Sequence, residues 1–326
     1  MTPRARGSVD RSPRVGAAID CGSNSVHLLV GVVDHHRVRP LADESTFLGL
    51  GGAAAEGQFG PTLISHLTAT VVGYVRLAQT LGAANVVIVG TEPFRRAADA
   101  REAFASVRTA TGLRAATISH AEEALLTLIG VTGGRRVKSH LIVCDIGGGS
   151  TELATVGPRR KPAAFGFRAG SASLTDRHVR HDPPTAVEQR ALRAAASQLV
   201  AGAPAIPRSR FVAVGGSATN MLRVLPVAGL DKVLTPARLD EIRDTLASEP
   251  TVVAAERHGV SPIRARLLPA GVAILSAILR RYEADQAEVS DLGIREGLIL
   301  ATTEAGGEWR RQLRKLAAGW GAPAPD

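Results

Sequence analysis

Two stretches decide the fold: Ala18-Ile19-Asp20-Cys21-Gly22-Ser23-Asn24-Ser25-Val26-His27-Leu28 and Val143-Cys144-Asp145-Ile146-Gly147-Gly148-Gly149-Ser150-Thr151-Glu152-Leu153. They align without gaps, with Asp, Gly, Ser and Leu at the same four offsets, 125 residues apart. Each reads as an apolar strand, a glycine-containing tight turn and a second apolar strand. Two such copies predict two related half-domains facing each other. A chance likeness between two glycine hairpins is the plainer alternative.

Outward from these hairpins, periodicity assigns the remaining elements. Strands are expected at Val15–Ile19, Val26–Val33, Val86–Val89, His140–Cys144, Thr151–Val156 and Phe211–Val214. Helices are expected at Pro61–Leu81, Asp99–Thr111, Ala121–Val131, Thr185–Val200, Pro236–Ser248, Ile263–Tyr282 and Gly293–Thr303. Gly90-Thr91-Glu92-Pro93 reads as a break. Strands and helices alternate throughout, so the class is α/β. The expected organisation is a basic flexible tail over 1–14, one lobe over 15–134, a second over 135–304 and a loose tail over 305–326. The last helix is expected to pack back on the first lobe.

Composition sets limits. At roughly 150 residues per domain, 326 residues make about two domains. A hydrophobic content of 45% excludes wholesale disorder, and 3% aromatics leave little for a stacking platform on single-stranded nucleic acid. Specific nucleic-acid binding is therefore not expected. Cys21 and Cys144, the 2 cysteines, cannot build a disulfide framework or a cysteine-rich zinc site. No unbroken apolar run reaches about 18 residues, so no membrane partner is expected. The apolar stretch after the basic tail is too short for a signal peptide, so a cytoplasmic protein is expected. The formal charge of +9 points to an anionic partner. Arg135, Arg136, Lys138, Arg159, Arg160 and Lys161 flank the second hairpin as a solvated rim that would concentrate a polyanion.

Glycine turns of this kind suit phosphate. They allow positive φ and close approach, so several N–H groups can converge on one anion. Ser23, Ser25 and Ser150 add hydroxyl donors. Asp20 and Asp145 end their strands beside the turns, where carboxylates can hold Mg²⁺ directly or through water. Glu152 stands where the first copy has His27, which makes it a candidate base or ligand to metal-bound water; a solvated strand glutamate is the alternative. A third turn, Gly215-Gly216-Ser217, follows a strand and opens a helix, a further anion site. It matches neither the Walker nor the dinucleotide glycine pattern. Arg95, Arg96 and Arg295 follow strand breaks, and guanidinium forks match phosphate oxygens. Glu122-Glu123 either caps its helix or orients an attacking water. Spacing alone leaves both roles open.

Taken together, these motifs resemble the exopolyphosphatase/guanosine pentaphosphate phosphohydrolase (Ppx–GppA) family. The matching stretches begin at Ile19, Gly90 (Gly-Thr-Glu-Pro-Phe-Arg-Arg-Ala), Ile118 (Ile-Ser-His-Ala-Glu-Glu-Ala), Asp145, Val214 (Val-Gly-Gly-Ser-Ala-Thr-Asn) and Ser290 (Ser-Asp-Leu-Gly-Ile-Arg-Glu-Gly-Leu). They run in family order over nearly all of 15–303. The resemblance implies an actin-like, two-lobed ATPase-superfamily fold (ribonuclease H-like) with its active site in the interdomain cleft. It implies Mg²⁺-dependent release of terminal phosphate from polyphosphate or guanosine pentaphosphate, by a homodimer. The catalytic base then falls on Glu123, with Asp145 and Glu152 positioning Mg²⁺ or water. Asp20 joins that metal set. Gly22, Ser23, Asn24, Ser25, Arg95, Gly147, Gly148, Gly149 and Ser150 would hold phosphates, with Gly215, Gly216 and Ser217 beside them. His120 departs from the family's usual Gly, Arg264-Ala265-Arg266 from Arg-Ala-Asp, and Asp99 from Asn. The other readings are a regulatory module that binds guanosine tetra- or pentaphosphate, and an ATP-dependent kinase of the same superfold.

Overall fold

The computed structural model describes residues 14–204, 209–225, 231–321 and 323. The basic tail expected over 1–14 lies outside the described residues except for Arg14, which opens the first strand.

Eleven strands are described. The first five are β1 (Arg14–Cys21), β2 (Ser25–Asp34), β3 (Arg37–Phe47), β4 (Asn85–Gly90) and β5 (Ala115–Thr117). The other six are β6 (Leu141–Ile146), β7 (Thr151–Gly157), β8 (Arg160–Phe167), β9 (Arg210–Val214), β10 (Val233–Leu234) and β11 (Ala287–Ser290). The helices of the first half are α1 (Leu50–Ala55), α2 (Gly60–Thr80), α3 (Glu92–Arg96), α4 (Ala100–Thr111) and α5 (His120–Thr132). The second half carries α6 (Ser171–His178), α7 (Ala186–Ala201), α8 (Gly215–Val224), α9 (Pro236–Ser248) and α10 (Thr251–His258). It ends with α11 (Pro262–Arg281), α12 (Ile294–Ala305) and α13 (Trp309–Ala317).

The strands form two sheets, ordered β3-β2-β1-β4-β5 and β10-β11-β9-β6-β7-β8. Read backwards from β8, the second sheet repeats the first: an antiparallel meander, then parallel strands beside its first member. The duplication seen in eleven residues therefore runs through both sheets.

Three apolar clusters fill the layers. One packs α2 and α4 on the outer face of the first sheet, and another packs α7, α9 and α11 on the outer face of the second. The third lies between the sheets and is built from α5, α12 and α13. Alternation along a strand assigns each residue to a face. Ala17, Ile19 and Cys21 face outward, whereas Ala18 faces the middle. In β6, Ile142, Cys144 and Ile146 face outward, whereas Leu141 and Val143 face the middle. Asp20 has the parity of Ala18, and Asp145 that of Val143. Both carboxylates therefore stand on the inner faces, from opposite sheets.

In the middle layer α5 and α12 cross at glycines. A Cβ on Gly130 would overlap the Gly293 carbonyl, and one on Gly297 would overlap the Leu126 carbonyl. α11 is long and apolar enough to cross a membrane, yet its apolar residues Leu268, Ile274, Leu275 and Ile278 are buried in the core of the second sheet.

Several expectations need correction. The loose tail after Glu304 instead continues into α13, because Leu313, Leu316 and Ala317 share one face and bury it, while Arg311, Arg314 and Lys315 stay exposed. Glu92 and Pro93, read as a break, open the short α3, since proline suits a first helical turn. Strands β3 and β8 were hidden because one or both of their faces are charged or exposed. Asp99 accepts from the N–H groups of Phe59 (2.9 Å) and Gly60 (2.8 Å) at the start of α2, so its carboxylate caps a neighbouring helix.

Candidate active site

Both glycine turns close the same way. Gly22 N–H donates to the Ser25 carbonyl at 3.1 Å, and Gly147 N–H to that of Ser150 at 3.0 Å. In each, the loop carbonyls are taken up by the start of a helix. Gly51 N–H donates to Ser23, and Leu48 and Gly49 to Asn24. Ser171 N–H donates to Gly147, and Ala172 and Ser173 to Gly148. With their carbonyls held, the turns keep N–H donors of Gly148, Gly149 and Ser150 without an acceptor among the described residues. The two turns face each other. A Cβ on Gly148 would lie 3.1 Å from Asn24 Nδ2, and one on Gly149 would lie 2.8 Å from Ser23 Oγ.

Between the turns lies a cleft of about 220 Å³. Asp20, Gly22, Ser23, Asn24 and Ser25 border it from one side, and Asp145, Gly147, Gly148 and Ser150 from the other. The third turn, Gly215-Gly216-Ser217, closes one end, and Glu123 lines the wall. Gly215 takes a φ of 83°, where a side chain would be strained and would collide with Asp145 Oδ1. Gly149, Arg95 and Glu152 do not border the cleft.

The paired glutamates at the start of α5 separate cleanly. Glu122 completes a capping box: its Oε2 accepts from Ser119 N–H and Oγ, both at 2.8 Å, and Arg310 of α13 pairs with the same carboxylate. Glu123, one residue on, turns into the cleft and is buried. Arg95 Nη1 donates to its Oε2 at 2.7 Å, and Arg95 Nη2 donates to Ser150 Oγ at 3.2 Å. A single guanidinium thus ties the glutamate to the second turn. Arg96 points outward and pairs with Glu92 at 3.0 Å.

Glu152 is 1% exposed and lies opposite Asp145 across β6 and β7. Its Oε1 stands 2.7 Å from His120 Nδ1, and that nitrogen stands 3.1 Å from Arg95 Nη2. His120, Glu123 and Glu152 are a trio close enough to share a cation, but the Arg95 guanidinium reaches all three and already supplies the positive charge.

Burial dominates the electrostatics. It pushes Asp20 up to about 7 and Asp145 up to about 6. It carries Glu152 up to about 8, with the Asp145 charge adding to the rise. Glu123 is also raised well above the carboxylate range, by burial and then by Glu152; Arg95 opposes this without cancelling it. Burial, then Arg95, lowers His120 to about 4.

The donor set fits a hard divalent cation. Oxygen ligands stand on both sides of the cleft, and Asp20 Oδ1 is buried with no hydrogen-bond partner. Mg²⁺ would be held by Asp20 and Asp145; Glu152, expected in the same set, is turned to His120 and Arg95 instead.

Other cleft residues were missed or left open by sequence reasoning. Arg295 borders the cleft and pairs with Asp43 of β3. Glu92 is buried and accepts from Ser23 Oγ at 3.3 Å. Arg264 borders the cleft beside Gly216, whereas Arg266 lies away from it, near Val179 and His181. Only its place in a pattern could have marked Arg264, because nothing in its spacing distinguishes it from a surface arginine.

Residues 30–305 match the family model described as the Ppx/GppA phosphatase family. Exopolyphosphatase 1 of Mycobacterium tuberculosis is 27% identical over 303 residues, which is 86% of each chain. The Mycobacterium leprae protein of that name is 26% identical over 306 residues, 86% of this chain and 87% of its own. Among solved structures, the Aquifex aeolicus PPX-GPPA enzyme superposes with a TM-score of 0.77 at 26% identity, covering 89% of this chain and 100% of its own. An exopolyphosphatase from Cytophaga hutchinsonii shares the fold, with a TM-score of 0.77 at 20% identity over 90% of this chain and 98% of its own. The α/β, two-lobed, actin-like fold is thereby shown.

Proposed function

The chain belongs to the Ppx/GppA phosphatase family, and from that premise we propose that it releases terminal orthophosphate from inorganic polyphosphate with Mg²⁺ bound in the cleft. The observation that carries the reading is the pair of facing glycine turns, with Asp20 and Asp145 beside them and Glu123 on the wall between.

N–H groups of Gly148 and Ser150, with the Ser23, Ser25 and Ser150 hydroxyls, bind the terminal phosphate. Asp20 and Asp145 would hold Mg²⁺, which would supply neutralisation of the charge on the phosphate oxygens. Glu123 takes a proton from the water whose oxygen attacks the terminal phosphorus. The bond from that phosphorus to the bridging oxygen breaks, and the shortened chain leaves on that oxygen. Burial, and then the Glu152 charge, raise the proton affinity of Glu123 well above that of an ordinary carboxylate, which suits a group that must accept a proton. Arg95 holds Glu123 and Ser150 in register, and Glu152 with His120 buttresses Arg95 from behind. The lobes over 15–134 and 135–304 serve as the two jaws. Guanosine pentaphosphate is a second substrate under the same proposal, its triphosphate end entering the same turns. Homodimerisation is the expected assembly, checked by light scattering.

The test is phosphate release from polyphosphates of several lengths, from guanosine pentaphosphate and from ATP, with Mg²⁺ or with chelator. Release from polyphosphate that needs Mg²⁺ supports the proposal. Tight binding with no release in any condition overturns it in favour of a binding module.

A further inference from the structure

We propose that a basic hollow at the far end of the second sheet is a second, non-catalytic site for condensed phosphate. It lies where the β7–β8 turn, the segment after α5 and α13 meet, and its volume is about 640 Å³. Arg136, Arg159, Arg160, Lys161 and Lys315 border it, and Trp320 lies on its wall. β7 begins at Thr151, beside the cleft, and ends at Gly157, on the hollow. Seven residues at about 3.3 Å each set the two sites roughly 20 Å apart. The rim cations expected to feed the cleft therefore gather at the opposite end of the strand.

What marks the hollow is the gathering of five uncompensated cations around one concavity. Among the described residues, none of those five cations makes an ion pair or a side-chain hydrogen bond. The hollow holds one acid, Glu304. Like charges brought together from three separate elements repel, and a multivalent anion relieves that repulsion.

The wall at Trp320 is also built. The backbone N–H of Trp320 donates to the Gly134 carbonyl at 2.9 Å, and the Trp320 indole lies over Gly134, where any side chain would collide with the ring. Gly321 then bridges Arg135. Trp320 and Gly321 are thereby pinned against the segment after α5. Guanidinium forks contributed by separate elements, Arg136 after α5 and Arg159 and Arg160 at the β7–β8 turn, match a ligand that repeats anionic oxygens along its length. That chemistry is shared by linear polyphosphate and by the triphosphate of a nucleotide. The choice of condensed phosphate rests on the reading of the cleft; the charge excess does not.

Trp309→Phe leaves Trp320 as the one indole of the chain, since there are two tryptophans. Its emission would be titrated with inorganic tripolyphosphate, long-chain polyphosphate and GTP in separate arms at constant ionic strength. The expected result is a saturable change, weakened at least tenfold by Arg159→Glu, Arg160→Glu and Lys315→Glu together. Tripolyphosphate response without GTP response identifies the inorganic chain; the reverse identifies the nucleotide. Calorimetry on a Glu123→Gln chain should count two sites for tripolyphosphate, falling to one in the triple reversal. No emission change, or a single site in both chains, overturns the proposal. Two sites, together with no phosphate release by the unsubstituted chain, would instead remove the catalytic reading and leave the hollow standing.

Discussion

Glu122 and Glu123 are chemically identical and adjacent, yet one is spent on a helix cap and the other on the cleft. The difference is angular: consecutive helical residues point about 100° apart, so only one can face the opposing turn. Glu123→Gln is therefore expected to lower phosphate release by at least about 10², the lower bound for losing a general base, while polyphosphate binding stays within a few-fold. Steady-state kinetics beside calorimetry measures both. Retained activity would show that Glu123 is not the base. Glu122→Gln, by contrast, should cost stability and little chemistry. The glycine turns and their aspartates were legible in the sequence because glycine and a strand-ending acid announce themselves at fixed offsets. Choosing between the two glutamates was not, because it depends on which side of α5 meets the second sheet. The family resemblance, not the spacing, pointed to Glu123.

At the scale of elements, the position of Glu123 depends on how closely α5 can approach α12. Gly130 and Gly297 let backbone touch backbone there. A methyl group at Gly297 has nowhere to go, because the obstacle is the Leu126 carbonyl rather than a movable side chain. Gly297→Ala should destabilise the protein by about 1–3 kcal/mol, as overpacking does, and should lower kcat by displacing α5. Gly307→Ala, with open space around it, is the control. Thermal melts and kinetics on both variants check this; equal behaviour would dismiss the crossing as a constraint. Long amphipathic helices such as α2 and α11 were readable from periodicity. β3 and β8 were not, because each lies at the edge of its sheet and exposes residues on both sides. α13 was concealed by its arginines and by the glycines around it.

For the molecule as a whole, buried carboxylates make stability depend on pH and cation. Asp20, Asp145 and Glu152 bind protons more tightly folded than unfolded. Their contribution is complete below about pH 4 and is lost as pH rises towards 6–8. His27 and His120, held near 4, act oppositely and only below about pH 6.5. Between pH 6.5 and 8 the carboxylates act alone, so Tm in chelator should fall across that window. Mg²⁺ should restore it at pH 8 and do little at pH 5, where the ligands are closer to neutral. Melts in both conditions decide the matter; a Tm unaffected by Mg²⁺ at pH 8 would mean that the cleft carboxylates do not hold it.

The place of α12 has a consequence for how the protein is made. Ile299 packs on Gly16 of β1, and Arg295 reaches Asp43 of β3, 252 positions away, so the inner face of the first sheet is covered by residues from far down the chain. On the ribosome the first lobe emerges complete in strands but without that cover, its Ala18, Leu29 and Val89 open on one side. It must wait, partly exposed, until the last helices clear the exit tunnel. A chain truncated at residue 290 should therefore bind a hydrophobic dye and be cut within the first sheet by protease, whereas the full chain resists both. A truncated chain as resistant as the full one would show that the first lobe matures unaided. Chaperone attention during synthesis should accordingly fall most heavily on the interval before α12 appears.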